Sequence, residues 1–363
     1  MENPELGSRT RPPTTVTESE YWRRGREKYN LFDGHLRFRI RGEFLAVVAV
    51  TGCSGYIGSR LLRFLQDYDH ISTVIGVDVQ PPGWSCRKLE FHRMDVRNRE
   101  LHSLFKDKTI DKVVHLAFIF NPLHDKALAH DIDVEGTRNV LTATVECGAG
   151  QLILASSTAA LGAFADNPDW LTEESEPRRQ SNFLYASDKY EIEAMAREFA
   201  AAHTGVKVAV VRPCIVFGPN VDNYLVRFFL RLPFIPGVRG ARPELQFVHQ
   251  DDAAEVFMRV LEGNSSGFFH AVGDGTINLE RIAELAGRRI VDVPPSLLYR
   301  SVDLLWRLHA PRIEGPSGML DFIRYRWTAS DALTRKKLGI VSMRSSEDVL
   351  RLMLESKKNA AKS

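Results

Sequence analysis

The run Phe44-Leu-Ala-Val-Val-Ala-Val50 leads directly into Thr51-Gly52-Cys53-Ser54-Gly55-Tyr56-Ile57-Gly58, and no other stretch restricts the fold as tightly. The apolar run is far too short to cross a bilayer and fits a strand buried on both faces. Glycines spaced three and three then permit a tight turn, close approach of backbone to a ligand, and close packing of a following helix on the strand. A helix starting there presents unpaired N–H groups and a partial positive charge, a setting suited to phosphate. Strand, glycine turn and helix form the opening of a crossover unit, which calls for a parallel sheet.

The alternation continues. Strand-like runs lie at 45–51, 73–79, 89–94, 112–117, 151–156 and 207–212, with helix-like stretches at 57–68, 127–147 and 184–203. Such a pattern predicts an α/β chain whose parallel sheet is covered on both faces. Beyond residue 218 regularity falls and Phe228, Phe229, Pro233, Phe234 and Pro236 cluster, as in a smaller lobe that closes over a site. Residues 1–44 lack a continuous apolar run, so no secretory signal is expected, only a mixed-charge tail and lead-in. Within it Arg37, Arg39 and Arg41 alternate with Phe38 and Ile40, a short strand with a solvated face.

Charge excludes some functions. The chain has 48 basic and 46 acidic residues in 363, a net charge of +2, so no bulk field recruits nucleic acid or an anionic membrane. The cysteines at 53, 86, 147 and 214 are too scattered for a disulfide scaffold or a zinc site; no metal is expected, and a reducing, cytoplasmic setting fits.

Other residues carry chemistry. Asp78 ends the second strand-like run, about 20 residues beyond Gly58, where a carboxylate can accept both ribose hydroxyls of an adenosine. It would repel a 2′-phosphate, so NAD is favoured over NADP, although Arg87 and Lys88 stand nearby. Asp95 follows the third run, as a strand-end turn or an acceptor for an adenine amino group. In Tyr185-Ala-Ser-Asp-Lys189 the tyrosine and lysine lie one helical turn apart. A neighbouring ammonium stabilises a phenolate and lowers the tyrosine pKa toward use as a base. The same lysine can hold ribose hydroxyls. Ser156-Ser157 closes the fifth strand, where ligands of parallel sheets sit; Ser157 can bond a reacting oxygen or cap a turn.

Together these residues resemble the extended short-chain dehydrogenase/reductase superfamily, its NAD-dependent epimerase/dehydratase group. The pieces occur in order: Thr51-Gly52-xx-Gly55-xx-Gly58, Asp78, Asp95, His115-Leu-Ala117, Gly136-Thr-x-Asn139, Ser156-Ser157, Tyr185-xxx-Lys189, Arg212-Pro213 with Phe217-Gly-Pro219, and Phe247-Val-His-Gln-Asp-Asp252. The resemblance spans roughly 45–345. It implies a Rossmann-type doubly wound parallel sheet of about seven strands with a smaller C-terminal substrate-binding lobe. Its implied divisions are 1–44 (tail and lead-in), 45–218 with 246–272 returning to it (NAD(P)-binding), 219–245 with 273–345 (substrate lobe and lid), and 346–363 (C-terminal helix end and tail). It implies Ser157, Tyr185 and Lys189 as the catalytic set. The cofactor set is Gly52, Ser54, Gly55, Tyr56, Ile57, Gly58, Asp78, Asp95, Val96, Leu116, Ala117 and Pro213, with Tyr185 and Lys189. A small-molecule substrate and a homodimer through paired helices are implied as well.

Departures narrow the expectation. Ser157 is followed by Thr158, Ala159 and Ala160 without the carboxylate of the dehydratases, so water elimination is not expected. Ile215 and Leu245 stand where sugar-nucleotide enzymes place an asparagine and an arginine, which leaves Arg227, Arg239 or Arg242 to hold a diphosphate. Leu161 and Asp133 replace a tyrosine and an asparagine, and the latter exchange bears on a water relay. The apolar stretches Tyr224–Ile235 and Leu297–Trp306 either pack the second lobe or line an apolar pocket or dimer contact. The resulting expectation is an NAD(P)-dependent oxidoreductase of an apolar hydroxy or oxo compound, as in the hydroxysteroid-dehydrogenase-like branch. A sugar-nucleotide 4-epimerase with tightly held NAD is the alternative. A non-catalytic dinucleotide sensor is disfavoured because Ser157, Tyr185 and Lys189 are all present.

Overall fold

A computed structural model describes residues 45–219 and 221–360. The tail, with its Arg37–Arg41 strand, lies outside the described residues. Strands β1 (Ala46–Thr51), β2 (Ile71–Asp78), β3 (Leu89–Arg93), β4 (Lys112–His115), β5 (Gln151–Ala155) and β6 (Lys207–Pro213) follow the six runs read from the sequence. After them come β7 (Ile215–Phe217), β8 (Phe234–Val238), β9 (Phe247–His249), β10 (Gly267–Ala271) and β11 (Arg289–Val293).

Seven of these form one sheet, ordered β10-β6-β5-β4-β1-β2-β3, with every neighbouring pair parallel. The chain winds outward from β1 through β2 to β3, then crosses to β4 and winds the other way. The reversal between β1 and β4 opens a crevice at the carboxyl ends of the strands, where ligands of such sheets bind. Two apolar layers cover the sheet. Along β1, Val48 and Val50 join one layer while Ala49 joins the other; along β2, Val74 faces one and Ile75 and Val77 the other. A pleated strand buried on both faces must be apolar at consecutive positions, which is why these runs lack polar alternation.

Helices Tyr56–Gln66 and Leu184–Ala202 match their sequence patterns. The stretch read as one helix at 127–147 is instead two helices, Lys126–His130 and Gly136–Glu146, joined by a π-helical turn at Asp131–Glu135. An extra residue in a turn leaves no mark on a 3.6-residue apolar period, and such turns favour functional sites. After β6, the small sheets β7–β9 and β8–β11, helices Tyr224–Leu230, Leu279–Ala286 and Pro295–Arg307, and the 3-10 turn Ser317–Ile323 build the second layer of structure. Helix Gln250–Glu262 then returns the chain to the main sheet as β10. No helix among the described residues is long and apolar enough to cross a membrane.

Candidate active site

The glycine turn is fixed by contact. Gly52 has φ +69°, and a Cβ there would lie 2.5 Å from the Ala117 nitrogen. A Cβ on Gly58 would lie 2.2 Å from the Gly52 carbonyl oxygen. No larger residue fits either place without moving backbone. Gly55 caps helix Tyr56–Gln66 without a side-chain bond, and the first turn carries no acid. The N–H groups of Tyr56, Ile57 and Gly58 therefore meet no negative charge from their own helix, as an anion site requires.

Asp78 stands beside this turn. Its Oδ2 accepts from the Ser54 N–H at 3.0 Å and its Oδ1 from the Gln80 N–H at 3.1 Å, while Ser54 Oγ donates to the Gln80 carbonyl at 2.6 Å. The carboxylate is thus aimed by backbone and keeps further lone pairs for hydroxyl donors. These are features that a dinucleotide's pyrophosphate and adenosine ribose would use, and the residues fit NAD. Asp95 is more committed: Arg97 donates Nε to its Oδ1 at 3.0 Å and Nη2 to its Oδ2 at 2.7 Å, holding the carboxyl below its ordinary range. An adenine amino group would have to share those oxygens with Arg97. The Val96 carbonyl accepts from Asn139 at 2.7 Å, and Leu116 donates its N–H to the Thr51 carbonyl at 3.0 Å, so both backbones are fixed at the crevice.

Ser157, Tyr185 and Lys189 converge beyond the ends of β5 and β6. Ser157 caps the turn Thr158–Leu161, accepting from the Ala159 N–H at 3.1 Å and donating to the Pro213 carbonyl at 3.2 Å. Its hydroxyl lines the same pocket as Tyr185 and lowers the tyrosine pKa, so the capping residue also faces the tyrosine. Tyr185 is clasped edge-on by Phe118 and Phe120, with ring centroids 5.5 and 5.3 Å away. Burial pushes its pKa up to about 12, against the Ser157 hydroxyl, which lowers it. The depression expected from Lys189 is not found: burial sets the direction, and the nearby charge of Asp133 adds to it. Lys189 donates to the Ala155 carbonyl at 2.7 Å, its Nζ lies 3.3 Å from the Phe118 ring centroid, and burial pushes its own pKa down. His115, buried between Thr51 (2.6 Å) and Thr137 (3.0 Å), is held neutral, pushed down to about 3 by burial.

Two acids near this lysine received no site role from the sequence, which marked Asp133 only as the replacement of an asparagine. Asp133, in the π turn, accepts from the Ile119 N–H at 2.7 Å, and burial raises its pKa. Asp188, inside the Tyr185–Lys189 turn, is buried, with His130 Nδ1 2.8 Å from its Oδ1 and its Oδ2 without a partner. Its position just before the lysine was the available signal.

Residues 48–270 match the family described as NAD dependent epimerase/dehydratase family. The chain belongs to that family. It is therefore an enzyme family member whose fold agrees with solved relatives. The UDP-glucose 4-epimerase of Thermus thermophilus, solved with NAD, superposes with a TM-score of 0.66 at 21% identity, over 86% of this chain and 99% of that one. A Mycobacterium tuberculosis protein, Rv0501, is 28% identical over 259 residues, 69% of each chain. The N-acetyl-alpha-D-glucosaminyl-diphospho-ditrans,octacis-undecaprenol 4-epimerase of Escherichia coli O157:H7 is 30% identical over 188 residues, 49% of this chain and 52% of that one.

The second lobe is apolar where it faces Ser157 and Tyr185. These two residues open onto a narrow pocket walled by Phe120, Phe183, Phe228, Leu245 and Phe322. Ile215 and Leu245, the apolar replacements noted above, both line it. Two of the three arginines suggested as diphosphate anchors have other partners. Arg227 Nε donates to Glu314 Oε2 at 2.7 Å, and Arg242 pairs with Asp292 at 2.6 Å and with Glu280. Arg239 is exposed.

Proposed function

We propose that this chain is an NAD-dependent epimerase that inverts a secondary alcohol on a glycosyl substrate. The observation that carries this reading is the meeting of Ser157 and Tyr185 on one pocket wall, with Lys189 one turn beyond and the glycine cradle across the crevice. Bound at Gly52–Gly58 and Asp78, NAD would supply a hydride acceptor that also returns the hydride. The chain's own residues do the rest. Ser157 holds the reacting oxygen; Tyr185 takes the hydroxyl proton and later restores it; Lys189 binds ribose hydroxyls and offsets phenolate charge. The pocket walls exclude water while the ketone exists. Support from relatives lies in the two 4-epimerases named above.

The apolar pocket favours a substrate with an apolar portion. A glycosyl diphosphate on a lipid carrier, of the kind named for the Escherichia coli relative, meets that requirement better than a nucleotide sugar. The same lining favours a second reading, net oxidation or reduction of an apolar hydroxy or oxo compound. Water elimination is not part of either, since no carboxylate follows Ser157. The proposal includes a cytoplasmic setting, which four free thiols suit, and a homodimer, tested by sedimentation velocity.

The deciding experiment incubates purified protein with UDP-glucose, UDP-N-acetylglucosamine, their lipid-diphosphate counterparts, and a panel of apolar alcohols and ketones. Interconversion of stereoisomers without added cofactor and without net NADH supports epimerisation. NADH accumulating in step with an apolar ketone overturns it in favour of the second reading.

A further inference from the structure

Helix Pro295–Arg307 turns one face outward, and nothing among the described residues packs on it. Leu297 and Leu304 are 57% and 59% exposed, and Leu308, which caps the helix, is 67% exposed. Spaced i, i+7 and i+11, the three lie along one line of the helix, with Leu305 beside them. The opposite side is firmly held. Leu298 is buried, Tyr299 donates to Asp321 at 2.6 Å, and Asp303 accepts the Ser317 N–H at 3.0 Å. Trp306, half buried at the helix end, stacks on His124 with ring centroids 3.7 Å apart. The exposed leucines are therefore not a sign of a loose helix; the helix is anchored and its outer face is presented.

Charge says what would cover that face. Arg300 and Arg307 flank the leucine line and Arg312 follows it, all exposed. No carboxylate is exposed between 294 and 312, because Asp303 is directed inward. An apolar ridge edged only by cations complements an anionic bilayer, into which the leucines sink while guanidinium groups meet headgroup phosphates. The small net charge of the whole chain, +2, does not oppose this, since screening confines the interaction to the local patch.

We propose that helix Pro295–Arg307 docks this enzyme on an anionic lipid surface. The residues that anchor the helix belong to the pocket wall: Asp321 and Ser317 lie in the turn Ser317–Ile323, whose Met319, Leu320 and Phe322 face the substrate pocket. Docking thus sets the pocket wall against the membrane, where amphiphilic substrates reside.

The test is co-sedimentation of the full chain with vesicles. Wild-type protein is expected to pellet with mixed phosphatidylcholine–phosphatidylglycerol vesicles, to pellet less with pure phosphatidylcholine, and to be released by salt. The Leu304→Glu/Leu308→Glu variant should partition at least about tenfold less, and Arg300→Glu/Arg307→Glu several-fold less, both with unchanged thermal midpoints. Wild-type protein that ignores anionic vesicles overturns the proposal, as does a leucine variant that binds as well as wild type. A wild-type dimer that the leucine variant breaks, without vesicle binding, assigns the face to a second copy and also overturns it. None of these outcomes touches the catalytic reading, because the assay needs no turnover.

Discussion

His130 Nδ1 lies 2.8 Å from Asp188 Oδ1, joining a partly exposed imidazole to a buried carboxylate one residue before Lys189. The bond to Asp188 raises the His130 pKa above its ordinary value, and the charges of Glu191 and Asp133 add to the effect. A histidine whose folded pKa lies above its unfolded value contributes stability that is complete below about pH 6.5 and fades as pH rises through the folded value. Wild-type protein should therefore lose thermal stability relative to His130→Gln on going from pH 6 to pH 8. Thermal unfolding of both proteins across that range is the check, and parallel curves would contradict the assignment.

Tyr185→Phe keeps the ring contacts with Phe118 and Phe120 but removes the hydroxyl that shares the pocket wall with Ser157. Loss of a positioned acid/base group costs roughly 10²–10⁴-fold in rate. The variant should show that loss in kcat with NAD affinity unchanged by titration calorimetry. Lys189→Met should differ by weakening both, if its ammonium serves the cofactor ribose and the phenolate as proposed.

Gly58→Ala places a methyl against the Gly52 carbonyl and the Cys53 backbone, neither of which can rotate away. Forcing a methyl into such packing costs roughly 1–3 kcal/mol, and the displaced turn loses its fit to pyrophosphate. A lowered denaturation midpoint and much weaker NAD binding are expected. Gly83→Ala is the control: nothing lies within 4 Å of its added Cβ, so both measurements should match wild type.

In the proposed function Asp78 is the residue that recognises the adenosine ribose. With both oxygens fixed by the Ser54 and Gln80 N–H groups, its charge faces the place where a 2′-phosphate would sit. Asp78→Ser should weaken NAD roughly 10–100-fold, the range for losing a charged hydrogen bond, and narrow the preference over NADP. Fluorescence titration with both dinucleotides reads the ratio directly.

These sites differ in how far the sequence alone reveals them. The glycine turn, Asp78 and the Tyr185–Lys189 turn are local patterns whose geometry follows from spacing, so they could be placed before any coordinates. The six strand runs were legible for the same reason, being continuous apolar segments ended by turns. The π turn was not, because one added residue hardly disturbs the apolar period around Asp133. Asp188 was hidden inside a motif whose intervening positions look free. Arg227 and Arg242 were read as anchors because their partners, Glu314 at 87 residues and Asp292 at 50, lie far along the chain, and pairing across such distances has no sequence signal.

The pairing of Arg227 with Glu314 yields a test of lid closure. Glu314 receives Arg227 through Oε2 at 2.7 Å and Arg231 through Oε1 at 2.6 Å, so a single carboxylate ties helix Tyr224–Leu230 to the segment after helix Pro295–Arg307. The carboxylate is nearly buried, while Arg231 is close to half exposed, so losing the acid leaves an arginine that water can solvate. The pairs therefore hold position more than they add to global stability. Glu314→Gln should leave the denaturation midpoint nearly unchanged yet let the lid open more often. If the charged hydrogen bonds contribute about 1.4 kcal/mol to closure, tryptic cleavage after Arg227 and Arg231 should speed up roughly tenfold. The substrate KM should rise with it while kcat falls less, because Ser157 and Tyr185 sit on the far wall. Cleavage at the wild-type rate would show that the apolar contacts of Phe228 and Phe229 hold the lid without the salt bridges.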